Sequence, residues 1–232
     1  MVPIRIKGVL FWGIDKGSVT REEVEKVSVP VDSVLHLLHH FAVVPEVWSQ
    51  RMVAEGMATW ESIEERLKMP GSKWNSKTNL ETPEDVIRFS RSLLEIAIKQ
   101  GQEELKWIGR GEIDFCYFSH LVKPDEKKQL LGCAPDVSMG TMGLVSLKEL
   151  PNNVKIRRSF NRGGMVNVVK MICPVTDRVV ITLAKRETGV IQIYSAFPGI
   201  LTPPIPRDNQ IPEEQKYNSL FWEQYVLIEA VN

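Results

Sequence analysis

Hydrophobic positions fall mostly three and four apart before about residue 103 and mostly two apart after it, so helices are expected first and strands later. Residues 3–13 are the early exception: they alternate and predict a strand ending at Gly13. Thr20-Arg-Glu-Glu23 has the order of a capping box, and short helical patterns run on to about Leu67, interrupted by Pro30, Pro45 and Gly56. Thr82-Pro-Glu-Asp85 predicts a firm helix start, with Thr as cap, Pro at the first position and acids in the first turn. Val86, Phe89, Leu93, Leu94, Ile96 and Ala97 then form an apolar stripe to about Gly101.

Further on, Glu112–Phe118 alternates as a strand, Gly132–Gly143 is loop by composition, and Val145–Leu150 predicts a turn of helix ended by Pro151. Residues 154–160 predict a strand with Lys155, Arg157 and Ser159 on one face. The densest β signal is Met165–Gly199, whose three runs predict a three-stranded antiparallel meander with turns at Pro174–Asp177 and Arg186–Gly189. Alternation along the last run places Ile191, Ile193, Ser195 and Phe197 on one face. Prolines force Thr202–Asp208 to be extended, and Phe221–Val231 is apolar enough to close a sheet or core. The expected fold class is α+β: a mostly helical N-terminal region, residues 1–103, followed by a mostly antiparallel β domain, residues 104–232, that carries catalysis or binding.

Composition narrows the function. With 43% hydrophobic and 25% charged residues the chain is globular rather than disordered. It holds no apolar run near the roughly 20 residues of a membrane helix, and its start lacks a signal-peptide core. Three cysteines without a Cys-x-x-Cys pair argue against a disulfide framework or a cysteine zinc site. A reducing, cytoplasmic setting is the expectation, reached either directly or by delivery into a target cell without a classical signal peptide. Basic and acidic residues balance at 29 each, so the chain as a whole has no pull on nucleic acid. Between Val154 and Val190, however, Lys155, Arg157, Arg158, Arg162, Lys170, Arg178, Lys185 and Arg186 face only Asp177 and Glu187, which suits a local anionic ligand or a solvated sheet face.

Several residue groups can carry chemistry. His36, His39 and His40 lie in HLLHH, where His36 and His40 have the helical spacing of zinc proteases. Leu37 stands where the catalytic Glu belongs, and packed-helix histidines fit better. Met69–Thr78 lacks the Gly-Lys-Ser/Thr ending of a phosphate loop. His120 closes a strand beside a loop, where an imidazole can take and return a proton near neutral pH. Arg157, Arg158, Lys170 and Lys185 supply fixed charge, and Thr182 and Ser195 are hydroxyls on adjacent predicted strands.

Two β-rich runs closed by Tyr194-Ser-Ala-Phe-Pro-Gly199 resemble the end of the catalytic sheet in bacterial toxin ribonucleases of the barnase, EndoU, colicin and RelE-like type. More narrowly, the pattern is similar to the ribonuclease A-like toxins of contact-dependent inhibition systems, which end a late strand with Thr or Ser, one residue, an aromatic and Pro. Ser195 matches the hydroxyl and Phe197 the aromatic, without a phenol, and the resemblance covers about 35 residues. It implies RNA cleavage without metal or cofactor. His120 would remove the 2′-hydroxyl proton, and Arg157 or Arg158 with Lys185 and Ser195 would stabilise the charge on phosphate, leaving a 2′,3′-cyclic phosphate. It also implies an RNA substrate, an inhibitor (immunity or antitoxin) protein, and a delivery or interaction role for the helical first part. Two other classes fit the same residues: a non-enzymatic module binding RNA or protein through a basic sheet face, and a metal-dependent nuclease using Glu112, Asp114 and a lysine.

Overall fold

The chain opens on a hairpin rather than on the single strand expected over residues 3–13, and its second strand runs past Gly13. β1 (Val2–Ile6) and β2 (Val9–Ser18) pair antiparallel across Lys7-Gly8, both at positive φ, as a two-residue turn between right-twisted strands requires. Helices follow: α1 (Arg21–Glu25), α2 (Val31–Leu38), α3 (Glu46–Ala54), α4 (Trp60–Lys68) and, after strand β3 (Lys73–Trp74), α5 (Pro83–Gln100). Then come β4 (Lys106–Arg110), β5 (Ile113–Leu121), α6 (Pro124–Leu131), β6 (Gly140–Thr141), β7 (Leu144–Ser146), β8 (Ile156–Asn161) and β9 (Gly164–Met171). The order ends with β10 (Val175–Thr176), β11 (Arg178–Arg186), β12 (Ile191–Pro198), α7 (Pro212–Trp222) and β13 (Tyr225–Ala230). This computed structural model describes residues 1–28, 31–41, 46–69, 71–101, 105–161 and 163–230. Pro30, Pro45, Arg162 and the expected boundary at 103/104 lie outside the described residues.

The main sheet has the order β1-β2-β4-β5-β11-β12 and is antiparallel throughout. Thr20 and Thr82 cap α1 and α5 with reciprocal bonds to Glu23 and Asp85, as their local sequence predicts. α5 lays Val86, Phe89, Leu93, Leu94 and Ala97 into one core with Trp107, Cys116, Phe118, Ile181, Leu183 and Ile193 of the sheet. Truncating a fully buried side chain there, such as Leu93, costs about 2–5 kcal/mol. The opposite face carries a smaller cluster of Phe11, Ile108, Val180 and Leu201, with Tyr117 and Phe197 against it.

A helical N-terminal part followed by a separate β domain is therefore overturned. Residues 2–18 form two strands of the main sheet, and β2 pairs with β4 from beyond the helices. Helical patterns outnumber strands before residue 103, yet the β2–β4 pairing joins segments some ninety residues apart, which no local period reports. The three-stranded meander is corrected as well. β11 and β12 form its second hairpin, but β9 pairs antiparallel with β8 and parallel with β13 in a second sheet of order β7-β13-β9-β8. β5, rather than β9, lies beside β11. Between the two sheets the chain passes through β10, which joins β6 and β3 in a small third sheet. Val145–Leu150 is strand β7 continued by a 3-10 turn, and the polar segment after His120 is helix α6, started by Pro124.

The expected faces of β12 also change. Thr182 pairs with Ser195 but the next residue, Leu183, pairs with Ile193, leaving Tyr194 as the extra residue of a β-bulge. Ile193 therefore stays in the helix-side core while Ser195 and Phe197 turn to the other face.

Candidate functional site

The bulge re-aims Ser195 into a cleft of about 600 Å³ on the sheet face away from α5. Its floor is the main sheet: Phe11, Tyr117, Val180, Thr182, Ser195 and Phe197. Leu144, Leu227, Asn161 and the segment Ile200–Ile211 form the facing wall, and α7 contributes Glu214 and Trp222. The end of α2 closes the cleft over β12 with His36, His39 and His40.

α2 is wedged in place by its leucines. Leu37 enters the main core, while Val34 and Leu38 pack with Met52 and Ile63 of α3 and α4. The remaining direction, shared by positions 36, 39 and 40, faces the cleft. His36 Nε2 lies 3.2 Å from Ser195 Oγ, and its ring stacks on Tyr194 at 5.6 Å between centroids. His40 lies 3.0 Å from the Ser72 carbonyl through Nδ1, so the proton sits on Nδ1, and its ring stacks on Phe197. His39 is crowded by Gly71, where a Cβ would come within 2.7 Å of its Nε2. The turn after α2 is fastened by Lys73, whose ammonium donates to the carbonyls of His39 and Leu67. Burial pushes this lysine down to about 8.

Across the floor, Thr182 is directly opposite both Ser195 and Tyr117, so three hydroxyl-bearing side chains cross three strands in one row. Tyr117 stacks on Phe11 at 3.9 Å, and burial pushes its phenol up to about 12 against the opposing pull of Arg110. Arg110 donates to Glu214 at 2.7 Å; the carboxylate side chain is 1% exposed and the guanidinium 22%. Among the described residues no group of three His, Cys, Asp or Glu is arranged to hold a metal ion.

Of the five residues expected to form a site, the cleft receives Ser195 alone, because parity and sheet membership scatter the others. His120 is on β5 with its ring beside Phe118, on the helix side of the sheet, 2.9 Å from Glu126. Lys185 is on that side too, 3.2 Å from Glu23 and 4.5 Å above the Trp107 ring. Arg157 and Arg158 lie on β8, the edge of the second sheet, where Arg157 pairs with Glu229. The basic run is thus partly neutralised by acids distant in sequence. The residues that share the cleft with Ser195 are His36, His39, His40, Thr182 and Tyr117, with Arg110 at its far, β4 end. The signal for the histidines was present in HLLHH: spacings of one, three and four put them on one side, with both leucines on the others.

Comparison of this chain with family models, curated proteins and solved structures gives no match in any of the three. Among the described residues no helix is long and apolar enough to cross a membrane.

Proposed function

We propose that the cleft is the active site of a metal-independent endoribonuclease. What carries this reading is the 3.2 Å approach of His36 Nε2 to Ser195 Oγ inside an aromatic-lined cleft that also holds Thr182 and Arg110. His36 replaces His120 as the general base: its imidazole takes the proton from a ribose 2′-hydroxyl, whose oxygen attacks the adjacent phosphorus. The P–O5′ bond breaks, His39 gives a proton to the leaving oxygen, and a 2′,3′-cyclic phosphate remains. Ser195 and Thr182, opposite one another on adjacent strands, donate to the phosphoryl oxygens. Tyr194 and Phe115, packed edge to face at 5.5 Å, offer aromatic surface on which unpaired bases stack. An RNA-cleaving chain of this kind also calls for an inhibitor protein in the cell that makes it.

The test is cleavage of a fluorescent single-stranded RNA in EDTA. The wild type should cut and leave cyclic phosphate ends; His36→Ala should lose about 10²–10⁴-fold. His120→Gln should cut like wild type. Activity that survives His36→Ala and vanishes in His120→Gln would refute the assignment, and binding without any cleavage would leave a binding module.

A further inference from the structure

The cleft is longer than attack on one phosphodiester requires. His36 and Ser195 stand at its β12 end, whereas the Arg110–Glu214 pair marks its β4 end. Three strand spacings separate β12 from β4 in the sheet order, roughly 14 Å at the usual 4.7–4.9 Å per strand. Glu214 belongs to the first turn of α7, and the segment leading into that helix carries Arg207, which also lines the cleft.

Arg207 differs from Arg110 in having no counter-ion. Arg110 is matched by Glu214, while the guanidinium of Arg207 makes no ion pair or hydrogen bond among the described residues; only its backbone is engaged, the N–H donating to the Gln210 side chain at 3.0 Å and the carbonyl accepting from the Gln210 N–H at 3.2 Å. Its mount is nevertheless stiff. Pro203, Pro204 and Pro206 fix the backbone, and Trp222 Nε1 donates to the carbonyls of Pro203 and Pro204 at 3.3 and 3.1 Å. Gln210 returns a bond to the Ile205 carbonyl at 3.2 Å. Below, Gly164 of β9 lies so close that a Cβ would meet Ile205 at 2.4 Å and the Pro206 carbonyl at 2.8 Å. The arginine itself runs past the tip of the β8–β9 hairpin, with Nε 3.8 Å from where a Gly163 Cβ would be. A charged side chain held at a cleft rim on a braced segment, unmatched by the protein, is arranged for an anion from outside.

Resting on the ribonuclease reading above, we propose that Arg207 binds a phosphate flanking the one that is cleaved, so that the substrate is an oligonucleotide and not a single phosphodiester. His36 and Ser195 work at one phosphate while Arg207 fixes the strand by another.

The experiment uses single-stranded oligonucleotides with one ribonucleotide at the cleavable step and deoxynucleotides elsewhere, and an all-deoxy version for binding by fluorescence anisotropy. Flanking phosphates are replaced one at a time by uncharged methylphosphonates. For the wild type, neutralising one particular flanking phosphate should weaken binding about tenfold. Arg207→Ala should lose the same factor on the charged strand, lose nothing more on the methylphosphonate, and lower the slope of log K against log salt by about 0.7, one phosphate contact on a single strand. Arg207→Lys should keep most of the binding, and a minimal dinucleoside monophosphate should be cut equally by wild type and Arg207→Ala. Wild-type sensitivity to the methylphosphonate persisting in Arg207→Ala, or unaltered binding of the charged strand, overturns the proposal. If the wild type binds with this Arg207 signature but never cuts, the ribonuclease reading fails and the phosphate site stands. Loss of both binding and cutting in the wild type removes both.

Discussion

Arg110→Met should destabilise the protein well beyond Glu214→Gln, although each breaks the same ion pair. The asymmetry comes from burial: the Glu214 side chain is 1% exposed and that of Arg110 is 22% exposed. Removing the arginine seals a carboxylate in the interior without its cation, a change that costs about 3–5 kcal/mol. Glutamine at 214 keeps the size and still offers a carbonyl oxygen to Arg110, whose guanidinium has the cleft to turn towards, so about 1–2 kcal/mol is expected. In a protein of this length one kcal/mol moves Tm by about 2–4 °C, which predicts a drop near 10 °C for Arg110→Met and roughly a third of that for Glu214→Gln. Thermal scans with urea titrations at neutral pH measure both. The double change Arg110→Met with Glu214→Leu should return to within about 1 kcal/mol of wild type, because an apolar pair of similar volume owes no desolvation. Equal damage from the two single changes, or a double variant as weak as Arg110→Met, would refute the reasoning.

Two further outcomes follow from the site. Deleting Tyr194 should cost less than about 2 kcal/mol in a urea titration, because removing a bulge residue leaves Ile193 and Ser195 on their present faces; a loss like that of a large buried side chain would mean the faces had exchanged. Lys73, held near 8 when folded against 10.5 as its ordinary value, gives up its proton on the native chain first, so between those two pH values the unfolded chain binds more protons. Stability should therefore rise with pH across that window in the wild type relative to Lys73→Met, and a difference curve that is flat or falling counts against the burial of this ammonium.

What the sequence disclosed was local. Thr20 and Thr82 cap the helices they precede because a cap is decided within four residues. The strand at Met165 was legible, but its neighbour was not, since β9 pairs with a segment some sixty residues later. Ser195 lines the cleft, but period-two counting puts it on the face of Ile191 and Ile193, and nothing in Ile-Tyr-Ser-Ala announces the bulge that turns it away. His120 was misplaced for the opposite reason: it shares parity with Phe118, so simple alternation would have turned it towards the core. The basic residues between Lys155 and Arg186 are close in sequence but not in space: Arg157, Arg158 and Lys170 lie in one sheet and Arg178, Lys185 and Arg186 in the other, with Glu229 as counter-ion of Arg157 and Lys170 and Glu23 of Lys185.

The place of β13, between β7 and β9, bears on how such a chain leaves the ribosome. Its flanking strands and β8 are translated before it and must wait with open edges until its six residues emerge and slot between them. Leu144 and Leu227, opposite one another on β7 and β13, line the cleft, so one wall is assembled late. A nascent chain halted before residue 225 would lack Leu227 and leave β7 and β9 unbridged, so the wall facing the histidines and Ser195 closes only once translation passes that point.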